Sequence, residues 1–381
     1  MLDGAECREE PRWLAPTPGE GLETPCYVFD PEIAARNFQA LRSAIGTPLI
    51  VSLKANPTLD LLVRCAHVFI DGVELASIGE LNVVVGRLNV TRYVNTPAMD
   101  ETLFAAAISS RSIPVLDSQR QLDLAIRYRE ARPVPGVMLR LNAASLLRRR
   151  DLAADHFGMD VATALSSIER LARAGIPLKG LHVFTGSNSF NRHGVDLLDA
   201  MDGVLEQLEP RLEAPLELVN LGGGFPERWA DGRTDFGAYR NLLEPLKARA
   251  PLAHEAGRAV FASAGAFVTR VVGVKTIDER PFAICDGGLA QCFLLAQTER
   301  VIKDPQRPTL HPQMPRPAAA PLSVIQLVGN SCNRDDRIGE LRDSPPPIEG
   351  DLVVFPNCGA YHTYSPTGFL NLKAAKRYVV S

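Results

Sequence analysis

Lys54 combines a residue type and a sequence position that suggest chemistry. It follows the strand-like run 48–53 and precedes Asn56 and Pro57, which end a strand. A lysine there must be solvated, paired with a carboxylate or used covalently, because an unpaired buried ammonium is very costly. A solvated or ion-paired lysine is the commoner case. Covalent use would be a Schiff base, through which lysines anchor carbonyl cofactors.

Two other clusters suit a planar or anionic ligand. The segment 220–226 contains a glycine triplet, 222–224, which is either a plain flexible loop or a place where backbone amides approach an anion. At the end of another apolar run, His182 could stack on a planar ring, and Ser187 or Asn188 could donate to a phosphate. A single histidine on an apolar strand is more often structural, so neither cluster identifies a function alone.

Three further clusters carry polar side chains beside turns. Glu255 and Arg258 flank Gly257, where they could form an ion pair or where Glu255 could keep a ring nitrogen protonated. Cys332 lies in a polar segment and could act as an acid or a nucleophile, although an isolated cysteine is usually an inert small hydrophobe. Tyr361 follows a glycine turn that would present its hydroxyl or pack its ring.

Alternating strand-like and helix-like segments must position these residues. Apolar runs typical of strands recur at 48–54, 67–76, 91–96, 113–117, 136–142, 178–185 and 215–222. Helix-like stretches lie between them, at 99–110, 118–130, 160–174, 193–210 and 236–249. An eighth strand between 251 and 264 would complete a (β/α)8 barrel of parallel strands, with a doubly wound open sheet as the alternative.

The chain outside these segments shows two more patterns. Asp30 is a good N-cap for a helix that begins at Pro31. One face of that helix is apolar, with Ala34, Phe38, Leu41 and Ile45. The proline-rich segment 305–321 is predicted to be a long loop or partly disordered. After about residue 265 the chain is predicted to be β-rich, with strands at 266–274, 323–328 and 351–355.

Composition and charge argue against several classes of function. A formal net charge of −3 offers no general attraction to nucleic acid or anionic lipid. No apolar run reaches the length of a membrane span, and the acidic start does not look like a signal peptide. The seven cysteines are scattered without a C-x-x-C pair, so neither a disulfide framework nor a metal site is predicted. We expect a cytoplasmic protein.

Taken in order, these motifs resemble a known enzyme family. They are similar to the fold-type III pyridoxal-phosphate (PLP) decarboxylases, the family of ornithine, arginine and diaminopimelate decarboxylases, with alanine racemase as a distant relative. The resemblance extends over nearly the whole chain. It is carried by the segments 24–30, 53–57, 73–81, 95–97, 156–159 and 286–288, with His182, Gly222, Glu255, Cys332 and Tyr361.

The resemblance implies an α/β fold like that of alanine racemase. Residues 31–265 would form the PLP-binding barrel and 266–381 a C-terminal β domain, which residues 1–30 join. It also implies a homodimer with shared active sites. It ends the eighth strand near Glu255, whereas the apolar pattern alone would place that strand at 259–265.

The resemblance also assigns PLP as cofactor and gives the motifs roles. Lys54 would form the Schiff base, His182 would stack on the ring, and Glu255 would pair with the pyridine nitrogen. Cys332, supplied across a dimer interface, or Lys54 would return a proton after the carboxylate leaves. The remaining cofactor-binding residues would be Ser187, Gly222, Gly223, Gly224, Gly257, Arg258 and Tyr361.

The sequence departs from familiar decarboxylases near the expected substrate. Asn333 follows Cys332 where members that act on basic amino acids carry an acidic residue, although Asp336 remains. The loop 146–156 contains Arg148 and two further arginines, which would form a solvated face or suit a carboxylate- or phosphate-bearing substrate. We expect decarboxylation of an unusual amino acid or an amino acid conjugate in a biosynthetic pathway, with Asn333, Asp336 and Arg148 as candidate substrate contacts.

Two alternatives would use the same cofactor. Amino acid racemases of this fold pair the ring nitrogen with arginine and use a tyrosine as second base, so Glu255 and Cys332 argue against a racemase. A non-catalytic PLP-binding protein would resemble barrel-only relatives, and the predicted β domain with Tyr361 argues against it.

Overall fold

The chain folds into two compact units. A computed structural model describes residues 21–148, 156–296, 307–364 and 368–380. One unit is Ala34–Phe261. The other combines the described residues up to Ile33 with those from Ala262 onward, and it contains the first strand, β1 (Cys26–Phe29).

The unit Ala34–Phe261 contains a closed barrel of parallel strands. Each strand pairs with its successor along the chain, and the last pairs with the first. This closure confirms the (β/α)8 barrel predicted from the alternating pattern and excludes the open sheet. Among the described residues the barrel strands are eight: β2 (Leu49–Ser52), β3 (Val73–Leu75), β4 (Arg92–Asn95), β5 (Ile113–Leu116), β6 (Val137–Leu141), β7 (Leu178–Val183), β8 (Leu218–Asn220) and β9 (Leu252–Ala256).

Helices connect the barrel strands. Several begin with a side chain that accepts a hydrogen bond from a first-turn amide, namely Asp30, Ser77, Asp100, Ser118, Asn142, Asp160 and Asp235. Such caps satisfy amides that have no partner within the helix. No described helix is both long and apolar enough to cross a membrane. The described helices are α1 (Pro31–Ile45), α2 (Leu59–Arg64), α3 (Ile78–Val84), α4 (Glu101–Ser109), α5 (Gln119–Ala131), α6 (Ala143–Leu147), α7 (Val161–Arg173), α8 (Phe190–Leu208), α9 (Phe236–Lys247) and α10 (Arg258–Phe261).

Two local predictions are confirmed. The buried face of α1 consists of the residues expected from the apolar period, Ala34, Phe38, Leu41 and Ile45. The last barrel strand, β9, ends at Ala256, as the resemblance implies, and the chain then turns into α10. A strand at 259–265, which the apolar pattern alone favours, is therefore wrong.

The predicted strand at 67–76 is too long. β3 begins only at Val73. Before it, the backbone amide of Phe69 donates to the carbonyl of Cys65 at 3.0 Å, which closes a turn after α2. The Phe69 ring is buried and lies 5.1 Å from the ring centroid of Phe38. Val68 and Phe69 are therefore buried in a turn and not in a strand, and Ile70 is exposed.

The second unit is built on a mixed β-sheet, which confirms the predicted β-rich last third. The main path of the sheet runs β12-β15-β10-β11-β13-β14, and β10 also pairs with β1, which pairs with β16. The domain limits expected at residues 30 and 265 stay predictions, because compactness alone does not test independent folding. The described strands after β9 are β10 (Gly265–Ile277), β11 (Arg280–Cys285), β12 (Thr309–His311), β13 (Leu322–Val328), β14 (Arg337–Ser344), β15 (Leu352–Phe355) and β16 (Lys376–Val379).

The proline-rich segment 305–321 is only partly a loop. Its first two residues lie outside the described ranges, but Thr309–His311 form β12, antiparallel to β15. Arg316 then pairs with Asp351 at 2.6 Å, which attaches the following residues to the sheet. The prediction of a structureless loop is therefore wrong for β12, whose pairing with a distant strand leaves no local signal.

Candidate active site

The barrel interior changes from apolar to polar along its strands. One layer is a buried cluster of Ile50, Tyr93, Val115, Met138 and Ala253. Side chains alternate along a strand, so the residue two positions further on points to the same side. Those next residues are all polar and buried: Ser52, Asn95, Asp117, Arg140 and Glu255. The carboxyl end of the barrel, where barrel enzymes place their active sites, therefore holds a buried polar layer.

Strand register brings three more polar residues into this layer. Ser52 on β2 lies opposite Glu74 on β3. His182 on β7 lies between Arg140 on β6 and Asn220 on β8. All are buried, so each needs a hydrogen-bonding or charged partner within the barrel.

Lys54 places its amine beside a carboxylate of this layer. It lies in a single 3₁₀ turn, Leu53–Ala55, directly after β2. Its Nζ lies 3.2 Å from Glu74 Oε2 and 5.7 Å from the centre of the Phe184 ring. Leu53 and Ala55 are buried, whereas the Lys54 side chain is 43% exposed. The backbone is therefore fixed while the amine stays accessible to a ligand.

Neighbouring side chains hold Glu74 in place. Ser52 Oγ donates a short hydrogen bond to Glu74 Oε2. Asn95 Nδ2 donates to Glu74 Oε1 at 3.1 Å. With Lys54 these partners leave neither buried oxygen of Glu74 without a hydrogen-bonding partner.

His182 and Glu255 meet on the other side of the layer. His182 Nε2 lies 3.1 Å from Glu255 Oε1, and Asn220 Nδ2 donates to the same oxygen at 2.8 Å. Burial alone would raise the pKa of the Glu255 carboxyl. The attraction and hydrogen bond of His182, with the charge of Lys54 and the bond from Asn220, outweigh burial and lower that pKa well below its usual value. Glu255 is therefore a carboxylate at neutral pH.

The glycine triplet follows β8 and packs against neighbouring strand ends. Gly222 has a φ of +68°, and a Cβ there would lie 2.2 Å from the carbonyl oxygen of Val183. A Cβ on Gly223 would lie 2.4 Å from the carbonyl oxygen of Glu255. The Glu255 amide donates to the Gly222 carbonyl at 2.8 Å. The loop backbone therefore lies close to the Glu255 strand only because these positions lack side chains.

The structure places the other predicted barrel residues around the same rim. Ser187 is exposed in the turn that precedes α8. A Cβ on Gly257 would lie 2.7 Å from the Cβ of Ala55, so the turn after β9 packs on the turn that carries Lys54. Arg258 begins α10 and pairs with Glu227 at 3.3 Å.

Four predicted residues belong to the second unit. Cys332 and Asn333 are exposed in the turn between β13 and β14. Asp336 is buried, and its carboxylate accepts hydrogen bonds from the Leu289 amide at 2.8 Å and the Ser331 hydroxyl at 2.6 Å. These bonds favour a structural role for Asp336. The fourth residue, Tyr361, follows β15.

Tyr361 and Arg148 lie in left-handed backbone conformations. Tyr361 has a φ of +61° in a turn after β15, where its carbonyl accepts from the Tyr364 amide at 3.0 Å. Arg148 has a φ of +51° and ends α6 with an exposed side chain. The rest of the arginine loop, 149–155, lies outside the described residues.

Several residues of the polar layer were not predicted as site residues. The sequence carries a signal for each of them, a charged or amide side chain inside or at the end of a strand-like apolar run, as with Arg140 in β6. The pattern does not say which such residues face the barrel interior, because a buried parallel strand is apolar on both faces. The missed residues of this kind are Glu74, Asn95, Asp117, Arg140 and Asn220; Ser52, whose hydroxyl is a weaker signal, was missed as well.

Comparisons with known proteins agree with this architecture. The family described as "Pyridoxal-dependent decarboxylase, C-terminal sheet domain" matches residues 26–359. Diaminopimelate decarboxylase of Deinococcus radiodurans is 28% identical over 91% of this chain and 88% of its own. L-glutamyl-[BtrI acyl-carrier protein] decarboxylase of Niallia circulans is 26% identical over 92% and 87%. The crystal structure of lysine decarboxylase from Selenomonas ruminantium has the same fold, with a TM-score of 0.77, 24% identity and coverage of 94% and 93%.

The family match spans both units of the molecule. It includes β1 at one end and, at the other, the glycine turn just before Tyr361. It also includes the whole barrel with its polar layer. The chain belongs to the pyridoxal-dependent decarboxylase family.

Proposed function

We propose that Lys54 is the residue through which this PLP-dependent amino acid decarboxylase holds its cofactor. The observation that carries the proposal is the position of the Lys54 amine, at the carboxyl end of the first barrel strand and 3.2 Å from a buried carboxylate. The relatives named above are decarboxylases, so the racemase and the non-catalytic alternatives are not favoured.

The residues of the barrel suit PLP. The His182 ring is 1% exposed, and its Nδ1 has no hydrogen-bond partner among the described residues, as expected of a ring that serves a ligand. His182 would pack on the cofactor ring, and Glu255 would face its nitrogen. The phosphate would be held by Ser187, Gly222, Gly223, Gly224, Gly257, Arg258 and Tyr361.

When bound, PLP supplies an electron sink for the pair left behind when the α-carboxylate departs. Glu255 stays ionised at neutral pH, so it favours a proton on the ring nitrogen beside it. Lys54 must be a neutral amine to bond covalently, and Glu74 Oε2 is within reach to take its proton. Cys332 or Lys54 would return a proton to the α-carbon.

A homodimer with shared active sites is part of the proposal. Cys332 is exposed on its own unit, so a second copy of the chain could receive it. Size-exclusion chromatography with light scattering would find a dimer, and complementation between Lys54→Ala and Cys332→Ala chains would restore activity in mixed dimers. A cytoplasmic location and the absence of nucleic-acid and membrane partners stay predictions.

We propose an unusual or conjugated amino acid as substrate. Asn333 stands where the resemblance places an acidic residue in enzymes of basic amino acids, and Arg148 is exposed after α6. One relative is named for a carrier-bound glutamyl substrate. Asp336 is left out as a substrate contact, because its carboxylate already accepts hydrogen bonds within its own unit.

Carbon dioxide release from a substrate panel tests the reaction. The panel contains meso-diaminopimelate, ornithine, lysine, arginine, free glutamate and a glutamyl-carrier protein. We expect release from one substrate class, loss of release in Lys54→Ala, and full release in the control Lys179→Ala, which removes an exposed ion pair with Glu217. Racemisation without carbon dioxide release would contradict the proposal.

A further inference from the structure

We infer that Asn95 is a positioning residue, whose amide is fixed by Arg140 and Asp117 so that its NH₂ group holds Glu74 beside Lys54 and binds the imidazole of His182. The inference rests on the proposed cofactor site. It adds to that site three buried residues with no assigned role.

The chemistry of Arg140 fixes the orientation of the Asn95 amide. Arg140 Nη1 lies 3.4 Å from Asn95 Oδ1. A guanidinium only donates hydrogen bonds, so the amide oxygen must face Arg140 and the NH₂ group must face away from it. On that side Asn95 Nδ2 lies 3.1 Å from Glu74 Oε1 and 3.3 Å from His182 Nε2. One amide hydrogen therefore meets Glu74 Oε1, and the other faces His182 Nε2.

Arg140 is itself held from several directions. It pairs with Asp117 Oδ2 at 3.3 Å, and its guanidinium lies 4.1 Å from the centre of the Phe157 ring. The same Asp117 oxygen accepts from the Gly158 amide at 3.0 Å. Arg140 and Asp117 are 5% and 4% exposed. The charge of Asp117, the contact with Phe157 and burial therefore favour a position of Nη1 beside Asn95.

Asn95 thereby links both halves of the polar layer. Its bond to Glu74 keeps that carboxylate turned toward the Lys54 amine. His182 Nε2 can either donate to Glu255 or accept from Asn95, because a single ring nitrogen cannot do both at once. If Glu255 were paired with a bound cofactor, Asn95 would remain as a hydrogen-bonding partner for His182 Nε2.

Substitution of one atom tests this arrangement. Asn95→Asp keeps the size and the oxygen that accepts from Arg140, but it replaces the donor with a carboxylate oxygen facing Glu74. Like charges at that distance repel, which raises the pKa of the introduced carboxyl, and the repulsion grows as pH rises and that carboxyl loses its proton. Asn95→Leu removes the donor without adding a charge. The charged and titratable groups around the site are Lys54, Glu74, Glu80, Asp117, Arg140, His182 and Glu255.

We expect different pH dependences from the two variants. Relative to the unchanged protein at the same pH, Asn95→Asp should bind PLP about tenfold or more weakly at about pH 8 and approach it near pH 6. Asn95→Leu should bind PLP more weakly than the unchanged protein, by a similar factor at both pH values. The cofactor-free Asn95→Asp protein should show the same pH trend in its melting temperature, a readout that needs neither PLP nor substrate.

Asn37→Asp is the matched control. Asn37 lies on α1, and its amide donates to the Val260 carbonyl at 2.9 Å. The same chemical change there should leave PLP affinity within about twofold at either pH, whatever it does to stability. Equal, pH-independent effects of Asn95→Asp and Asn95→Leu on both readouts, or no effect of either, would overturn the inference. If the unchanged protein fails to bind PLP, the proposed function fails, and the melting series alone decides the role of Asn95.

Discussion

At the scale of single residues, Glu255 shows how a buried charge is kept. It is 4% exposed, yet its carboxylate has the His182 ring and the Asn220 amide as partners. Those partners lower its pKa although burial opposes them. A carboxylate that stays ionised inside the barrel is what a protonated ring nitrogen requires of its neighbour.

Removal of this charge should reduce turnover. We expect Glu255→Gln to lower kcat by about a hundredfold or more, because an amide cannot stabilise a proton on the ring nitrogen, while the Asn220 contact can persist. Steady-state carbon dioxide release measures the effect. Glu217→Gln, which removes an exposed carboxylate of the same barrel, should leave kcat unchanged. A wild-type kcat in Glu255→Gln would exclude the assigned role.

The sequence predicted some of these residues and missed others for a physical reason. His182 and Glu255 were named because they match motifs of the family that the chain resembles, and the barrel brings the ends of their strands together, with the two side chains in contact at 3.1 Å. Asn95 and Arg140 work through an amide orientation and a 3.4 Å contact across the barrel. Such a contact depends on register and packing, which a strand pattern does not contain.

At the scale of elements, the loop after β8 depends on missing side chains. Gly223 leaves no space for a methyl group against the Glu255 carbonyl, whereas a Cβ on Gly203, within α8, would meet no neighbouring atom within 4 Å. The same substitution, glycine to alanine, is therefore expected to have opposite effects on stability at these two positions.

We expect Gly223→Ala to lower the free energy of unfolding by about 1–3 kcal/mol and to weaken PLP binding, because the loop must move away from β9. Gly203→Ala should raise stability by about 0.5–1 kcal/mol, since alanine loses less chain entropy in a helix. Urea denaturation and PLP titration measure both. Tight PLP binding by a stable Gly223→Ala protein would show that the loop does not need this close packing.

Some elements can be predicted from nearby residues alone, whereas others depend on contacts with distant parts of the chain. The sequence predicted both helix α1 and its buried face, because the N-cap and the apolar period depend only on residues that are close together in the chain. Strand β12 was missed because three residues in a proline-rich segment form a strand only by pairing with β15. The turn around Phe69 was predicted as strand because it contains apolar residues. These residues are apolar because the turn buries Phe69, although its backbone is not extended.

At the scale of the whole molecule, buried histidines make the stability of the fold depend on pH. His254 on β9 lies between the Thr47 hydroxyl and the Tyr239 hydroxyl, each 2.8 Å from a ring nitrogen. Burial lowers the pKa of His254 from 6.5 to about 3. Burial likewise lowers the pKa of His362, in the second unit, to about 3. The unfolded chain therefore binds more protons than the folded one between these values.

Stability should accordingly fall as pH drops below about 6.5, because both histidines are neutral in the folded state and protonated in the unfolded one. Each can contribute a loss of up to about 1.4 kcal/mol per pH unit in that window. Urea denaturation between about pH 7.5 and pH 5 avoids the range in which Glu255 titrates. The slope of the free energy of unfolding against pH should decrease in His254→Gln. It should stay unchanged in His67→Gln, because the His67 side chain is exposed. A flat profile in the unchanged protein would contradict the neutral, buried state of these rings.

Predicted site residues occur in both units. Lys54, His182 and Glu255 belong to the barrel, whereas Cys332 and Tyr361 belong to the sheet unit. The residues that match the family, 26–359, include residues of both units. The covalent role of Lys54 is the claim on which the assignments of all the other residues depend.

Borohydride reduction followed by peptide mass mapping tests that claim most directly. The protein is saturated with PLP, reduced and digested, and each lysine peptide is examined for the mass of the reduced cofactor. We predict the added mass on the peptide that contains Lys54, and its absence in Lys54→Arg. Stoichiometric labelling of a different lysine, or no label on a protein that binds PLP, would contradict the account.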